Sequence, residues 1–308
     1  PILLGCLLFV ACSDDDIAEK GVKEGLPASL TFKMVVPDLN DAVVTRAGVE
    51  QETALNQLMF LFYKKSDTSK PAFAKVIDQL GSWRIGSDGN DNSNRLYTVT
   101  ISPGETDLND NELMSGEYYL YALANWGNGF CSYDAEGYAS KSLDELKSAI
   151  LARESSANVL DIINNTPMTG IYGRDDGSIE IYEGENSFGN TDETRVHLRR
   201  AVAKVIFNIS TVDGITFTPE RYSIYHYSQS STLMERSGWG GDQGTKPGNL
   251  SYEGNNSFSD FEDLAFSDGT PNSFEFYMPE NVQRAKDSNF TDVKMREKRE
   301  SETNEKFK

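Results

Sequence analysis

Histidine and the common catalytic motifs are scarce in this chain. Its only histidines are His197 and His226, which excludes a histidine-rich metal centre. The spacings HExxH, GxSxG and GxxxxGKS/T are absent, and the glycine-rich stretch 238–244 departs from the dinucleotide fingerprint because Gln243 replaces its last glycine. We interpret both histidines as surface residues. The sequence therefore predicts no catalytic residue, no metal ligand and no cofactor.

Acidic, asparagine-rich stretches are candidate calcium loops, because Ca²⁺ takes several oxygen ligands at alternate positions. Asp107, Asn109 and Asn111 begin such a loop. However, Glu112 stands where the turn requires glycine, and Tyr118 stands where a bidentate glutamate belongs. A second stretch fails at the same two positions: Asp88, Asn90, Asn92, Ser93 and Val99. Both are interpreted as solvated hairpin loops, and a calcium site of another type stays open.

Charge and cysteine content exclude further classes of function. The 48 acidic residues outnumber the 29 basic ones, giving a net charge of -19, which disfavours nucleic acid as a partner. With so many acids, carboxylate pairs of the glycosidase type arise by chance. The cysteines Cys6, Cys12 and Cys131 suggest no disulfide framework, and Cys131 is interpreted as a lone buried or loop thiol.

The N-terminus carries a short apolar run over residues 2–11, which has the length of a signal-peptide core and is too short to span a bilayer. Small residues before Cys12 then give way to Ser-Asp-Asp-Asp, and this junction resembles a lipobox. The resemblance implies that residues 1–11 are a signal-peptide remnant and that Cys12 is lipidated. Residues 12–28 are then a lipid tether. Cys6 is an alternative acylation site, and a buried N-terminal strand is an alternative to the whole interpretation.

Alternating apolar residues and turn-forming clusters predict a mainly β protein of the sandwich class. The predicted strands are residues 30–36, 58–63, 73–77, 96–101, 118–124, 179–182, 196–209, 222–227 and 274–278. A helix is predicted over residues 142–153, where Ser142 and Glu145 form a capping box before one apolar stripe. Residues 159–163 are compatible with either a helix or a strand.

The stretch 196–211 is too long for one regular strand. Val196 and Leu198 share one parity, whereas Ala203, Val205 and Phe207 share the other. A period of two survives such a change only through a bulge or a change of sheet. We therefore divide the chain into an N-terminal β-sandwich domain, residues 29–200, and a C-terminal one, residues 201–308, which we expect to be truncated because residues 294–308 show no strand alternation.

Three stretches together resemble the fimbrillin family of type V pili, including its anchor and tip subunits. Val43–Gly48 reads Val-Val-Thr-Arg-Ala-Gly, similar to the family's processing loop. Pro-Met-Thr-Gly at 167–170, followed by residues 196–205, resembles the junction of the two family domains. Residues 274–281 resemble a strand and turn of the second domain. The chain is thus identified as a candidate fimbrillin with tandem transthyretin-like β-sandwiches and one inserted helix.

The resemblance also implies a maturation and assembly route. An Arg-specific protease would cut between Arg46 and Ala47, which frees the strand that precedes the cut. The inward side chains of this displaced strand are Leu30, Phe32, Met34 and Val36. A strand from another fimbrial subunit would then complete the sheet by donor-strand exchange. The implied location is the outer membrane and the fimbrium at the cell surface, with a host or bacterial surface ligand as a further partner.

A surface lipoprotein that binds glycans is the alternative of a different class. Trp83, Trp126 and Trp239 lie near polar or glycine-rich turns, where an indole ring is able to stack on a sugar. Packing at the edge of a core is the competing interpretation of these tryptophans. Their exposure in the folded chain discriminates between the two.

Overall fold

The computed structural model describes residues 22–37, 55–77, 86–91, 94–126, 133–152, 166–173, 176–208, 219–225, 230–234, 264–265, 273–279 and 292–297. Several residues from the sequence predictions lie outside these ranges: Cys6, Cys12, Arg46, Ala47, Trp83, Cys131, residues 159–163, His226 and Trp239. Within the described ranges, no helix has the length and apolar character needed to cross a bilayer.

Strands dominate the described chain. They are β1 Ala28–Pro37, β2 Leu58–Lys64, β3 Phe73–Ile77, β4 Gly86–Asp91, β5 Asn94–Ile101, β6 Gly116–Ala124, β7 Ile150–Ala152, β8 Met168–Tyr172, β9 Ser178–Ile181, β10 Gly184–Ser187, β11 Val196–Arg200, β12 Val202–Asn208, β13 Pro219–Tyr225, β14 Ser230–Thr232, β15 Leu264–Ala265, β16 Ser273–Pro279 and β17 Asp292–Glu297. The helical elements are α1 Ala135–Ala139, α2 Leu143–Lys147 and a 3-10 turn, Asp192–Thr194.

Ten strands form one curled sheet with the order β3-β2-β6-β8-β11-β1-β5-β4, to which β9 is added on β6 and β10 on β1. The curl brings Phe32 of β1 against Phe60 of β2, with ring centroids 4.9 Å apart, although these strands are not neighbours in the sheet. Smaller sheets pair β12 with β16, β13 with β15 and β17, and β14 with β7. The mainly β prediction is confirmed. The division into two transthyretin-like sandwiches stays a prediction.

Strand β2 is apolar from Leu58 to Tyr63 because both of its faces are buried there. Phe60 and Phe62 belong to the core enclosed by the curl, together with residues of β1 and β5. Met59 and Leu61 belong to a second core on the opposite face. This core also contains Leu143 and Leu146 of α2 and residues of α1. A strand covered on two sides shows a continuous apolar run rather than alternation.

The predicted helix over residues 142–153 is wrong in its extent. It begins as predicted, since Ser142 Oγ accepts a hydrogen bond from Glu145 N (3.2 Å) and Glu145 Oε2 accepts one from Ser142 N (2.9 Å). It ends at Lys147, and the next apolar residues form β7, which pairs with β14. The apolar residues of β7 fit a helical stripe as well as a strand, and the strand partner comes from a distant part of the chain.

The predicted break in the stretch 196–211 is confirmed. Strand β11 ends at Arg200 and β12 begins at Val202, and the two belong to different sheets. The prediction that residues 294–308 contain no strand is wrong, because β17 pairs with β13 and covers Asp292–Glu297. Its charged residues conceal the apolar alternation. Strands β4, β8, β10, β14 and β15 were also missed, being short or glycine-rich and polar.

Buried tyrosines make the fold sensitive to alkali. Burial raises the pKa of Tyr118 to about 12, and the nearby charge of Glu24 adds to the effect. Burial is also the main cause that raises the pKa of Tyr121 and of Tyr172 to about 12. A raised tyrosine pKa means that the folded state favours the neutral phenol. This contribution is fully present below about pH 10, where the unfolded phenol titrates, and it is lost as the pH rises through the folded value.

We expect the free energy of unfolding to fall between about pH 10 and 12, and Tyr118→Phe to lessen that fall by on the order of 2 kcal/mol. The control is Leu120→Val on the same strand, a buried substitution that removes no titratable group and should leave the slope unchanged. Urea unfolding at a series of pH values measures both. The slope against pH is the readout, since Tyr118→Phe also removes a hydrogen bond to Met114 O (2.9 Å) at every pH. Equal slopes of unfolding free energy against pH in the two variants would contradict the assignment of the alkaline loss of stability to Tyr118.

Candidate functional site: the first strand and its groove

The alternation predicted for the first strand places its apolar side chains in the enclosed core. Leu30, Phe32, Met34 and Val36 are each at most 1% exposed. The space that these side chains fill, between the flanking strands and above the core, is called the β1 groove below. Other members of the same core are Phe60, Val99, Ile101, Leu120, Val196 and Leu198. The removal of β1 would therefore expose a continuous apolar surface.

One edge of the β1 groove is strand β5. The two strands pair antiparallel over the whole of β5, from Leu30 opposite Ile101 to Pro37 opposite Asn94. Thr31 and Thr100 lie directly opposite each other, with their Oγ1 atoms 3.3 Å apart on the exposed side. Strand β5 has a second partner, β4, on its other edge. It therefore keeps one strand neighbour whether or not β1 is present.

The other edge of the groove is a single continuous segment, residues 184–197, which we call the clasp. Its β10 part pairs in parallel with the first residues of β1, Ala28 to Thr31. Its β11 part pairs in parallel with Met34 and Val35. Between these two pairings, Phe188 N donates to Thr31 O at 2.8 Å. Both edges of β1 are thus paired with backbone, which makes it an interior strand.

The residues before β1 are also held in place, although the sequence assigns residues 12–28 to a tether. Ser115 is fully buried, and its Oγ donates to Lys23 O at 2.6 Å. The same Oγ accepts from Leu26 N at 3.0 Å. In addition, Ser115 O accepts from Gly25 N at 3.0 Å. Residues 23–28 therefore extend the paired region of β1 beyond the groove.

The strand that follows β1 in the sequence, β2, is not one of its neighbours in the sheet. The chain passes from Pro37 at the end of β1 to Leu58 at the start of β2, and Arg46 lies between them in sequence. Among the described ladders, β1 pairs with β5, β10 and β11 and not with β2. A cut between Arg46 and Ala47 would consequently leave β1 attached to the downstream chain by non-covalent contacts alone.

The residues singled out for other chemistry occupy structural positions. His197 is only partly exposed, rather than a free surface residue, and its Nε2 lies 2.8 Å from Asp192 O. Trp126 is 5% exposed and belongs to the second core, which leaves no face for a sugar ring. In the described residues, no cluster of three histidine, cysteine or carboxylate side chains has metal-binding geometry.

The loop with the partial calcium pattern is organised by Asp107 itself. Its Oδ1 accepts hydrogen bonds from Asn109 N at 2.7 Å and Asn111 N at 2.9 Å. Its Oδ2 accepts one from Ala74 N at 2.9 Å, and Leu108 N donates to Ala74 O at 3.2 Å. The loop thereby covers the outer edge of β3, which would otherwise present unpaired backbone groups.

We expect Asp107→Ala to lower the free energy of unfolding by about 2 to 4 kcal/mol, because three backbone N–H groups lose their acceptor, among them the buried Ala74 N. The control is Glu112→Ala, an exposed carboxylate of the same loop, for which the change should stay within about 0.5 kcal/mol. Urea denaturation measures both. Equal midpoints in the two variants would show that the Asp107 bonds contribute nothing.

Sequence reasoning missed the residues that grip β1 from the clasp. Asn186 is 8% exposed, and its Nδ2 lies 3.1 Å from Ser29 O. Gly189 has a φ of +104° and lies directly against Lys33. Both lie in the stretch 183–190, which is rich in glycine and asparagine. Such a composition indicates a loop and gives no indication of the partner strand.

Comparisons with known proteins place the fold. The chain matches no family model and no curated protein sequence. A solved protein from Parabacteroides distasonis assigned to cell adhesion is similar with 18% identity and a TM-score of 0.51, covering 89% of this chain and 75% of that one. The C-terminally truncated tip fimbrial protein Mfa3 from Porphyromonas gingivalis is similar with 16% identity and a TM-score of 0.51, covering 88% and 78%. At these identities the likeness shows a shared fold, and the predicted resemblance to fimbrial proteins is confirmed at the level of the fold.

Proposed function

We propose that this chain is a structural or adhesive subunit of a surface fimbria, a member of the fimbrillin family and not an enzyme. The observation that carries the proposal is β1, an interior strand with four buried apolar side chains that precedes the candidate cleavage site at Arg46 in the sequence. A cut after Arg46 would leave β1 held by non-covalent contacts alone, which is what a subunit that polymerises by strand exchange requires. The fold shared with a tip fimbrial protein and a cell adhesion protein supports the same function.

The proposed maturation begins with export as a lipoprotein acylated at Cys12. Cleavage between Arg46 and Ala47 then releases the tether and β1 together. The emptied β1 groove offers apolar pockets and unpaired backbone on both edges, and a strand of another fimbrial subunit fills it. The proposed location is the cell surface, at the outer membrane through the lipid until cleavage and in the fimbrium afterwards. A host or bacterial surface ligand is the partner of an adhesive role.

The mature N-terminus of the full-length protein tests this proposal. The protein is isolated from native outer membranes and from sheared surface filaments, and its N-terminal peptide is identified by mass spectrometry. We expect Ala47 at the N-terminus of the filament fraction, and multimers that resist detergent when the sample is not boiled. A protein found solely as a monomer that retains an acylated Cys12 would overturn the polymerising role. Arg46→Ala is the matched variant, in which the Ala47 terminus and the multimers should disappear together.

A further inference from the structure

Strand β10 depends on β1 for its only strand pairing in the described part of the chain. The preceding strand, β9, pairs with β6 instead, so β9 and β10 follow each other in sequence without forming a ladder. The curled sheet therefore has a seam between β9 and β10. The departure of β1 leaves β10 with no strand partner, whereas β5 still pairs with β4.

The Asn186 side chain closes this seam and joins it to β1. Its Oδ1 accepts from Tyr182 N at 2.8 Å, and its Nδ2 lies 2.8 Å from Tyr182 O, 3.1 Å from Gly184 O and 3.1 Å from Ser29 O. A single buried amide thus contacts the turn after β9, the start of β10 and the backbone of β1. The bond to Ser29 O is buried and is therefore the one that is most costly to leave unpaired.

Gly189 forms a second contact between the clasp and β1. Its N donates to Thr194 Oγ1 at 3.1 Å, and its O accepts from Arg195 Nε at 3.0 Å, so the clasp fixes both sides of this residue. A Cβ added at Gly189 would lie 2.5 Å from Lys33 Cβ and 2.8 Å from Lys33 N. The absence of a side chain therefore lets the clasp lie against the backbone of β1.

We propose that the clasp, residues 184–197, is the surface that controls strand exchange in the β1 groove. It grips β1 through Asn186 and Gly189, opens when β1 leaves, and closes on an incoming extended strand with apolar residues at alternate positions. The barrier to exchange lies at the clasp and not at the β5 edge, because β10 has no pairing to keep once β1 has gone. This inference rests on the proposed function, since it concerns how the same groove is emptied and refilled.

The test uses the full chain with a site-specific protease recognition sequence inserted between Arg46 and Ala47, so that one defined cut is made. The probe is a fluorescent peptide with the sequence of residues 27–37, added in excess after cleavage, and its rate of incorporation is measured. Asn186→Ala should raise this rate by about tenfold or more, because the buried bond to Ser29 O and three partly buried bonds within the turn are lost. The matched control is Thr100→Ala, which removes one exposed hydroxyl contact to β1 from the β5 edge and should change the rate by less than about threefold.

Gly189→Ala tests the second contact and should also raise the rate, since its Cβ pushes against Lys33. A peptide in which the apolar and polar positions are exchanged should not incorporate into any variant. Equal incorporation rates in Asn186→Ala and Thr100→Ala would overturn the control by the clasp while leaving strand exchange in place.

Amide hydrogen exchange on the uncut chain tests the role of the clasp independently of the proposed function. In Asn186→Ala, the amides of residues 28–31 and 184–188 should exchange faster, while they stay protected in Thr100→Ala. If the cut wild-type chain never incorporates the peptide, the proposed function fails. The contact between the clasp and β1 is then still tested by hydrogen exchange. Unchanged amide protection in Asn186→Ala would overturn the proposed role of the clasp.

Discussion

A disulfide between positions 31 and 100 is expected to abolish the assembly of multimers. Thr31 and Thr100 are directly opposed on β1 and β5, and their Oγ1 atoms are 3.3 Å apart, so paired cysteines have the proximity that a disulfide requires. The double variant Thr31→Cys/Thr100→Cys would hold β1 covalently in its groove after the proposed cut at Arg46. A strand that is covalently held cannot make way for one from another subunit.

The disulfide can be reduced, so the same variant supplies its own control. The variant is made with Cys131→Ser to avoid mispairing, and multimers are measured on unboiled gels before and after addition of a reductant. We expect monomers under oxidising conditions, multimers after reduction, and multimers under both conditions for each single cysteine variant. Abundant multimers in the oxidised double variant would mean that assembly does not require β1 to leave.

Phe32→Ala is expected to be among the most destabilising substitutions in the described chain. The ring is completely buried and packs edge-to-face on Phe60 with centroids 4.9 Å apart. Truncation of a buried phenylalanine costs about 3 to 5 kcal/mol through lost transfer energy and the cavity that remains. Because domains are stable by only about 5 to 15 kcal/mol, this loss removes a large fraction of the total.

The matched control is Thr31→Ala on the adjacent position of the same strand, which faces the opposite side and is partly exposed. Its free energy of unfolding should change by less than about 1 kcal/mol. Urea denaturation of the uncut chain compares the two. A Phe32→Ala midpoint close to that of Thr31→Ala would show that β1 does not contribute to the stability of the core, and the description of the β1 groove would then be wrong.

Local patterns predicted those elements whose environment is uniform along the strand. The alternation in residues 30–36 predicted both the strand and its buried face, because one side of β1 meets the core at every second residue. The parity change in residues 196–211 predicted the break at Ala201, since a period of two tolerates no slip. The capping box at Ser142 gave the start of α2, because its two hydrogen bonds span three residues.

Predictions failed where the partner is remote in sequence. Strand β7 was taken as the end of a helix, and its partner β14 lies in a different part of the chain. Asn186 bonds Ser29 across 157 positions, and no pattern around either residue indicates the other. The interpretation of Trp126 as a core residue is confirmed, but the second core that buries it is not indicated by the neighbouring turn.

The sequence by itself therefore determined the mainly β class and the inward face of β1, because periodicity is a local property. The cut between Arg46 and Ala47 stays a prediction from the resemblance. The tertiary structure alone decided that β1 is an interior strand and that one continuous clasp covers its second edge. Parallel pairing of β1 with β10 and β11 joins segments that are far apart in the chain. Such pairing depends on the curl of the whole sheet, which no local pattern encodes.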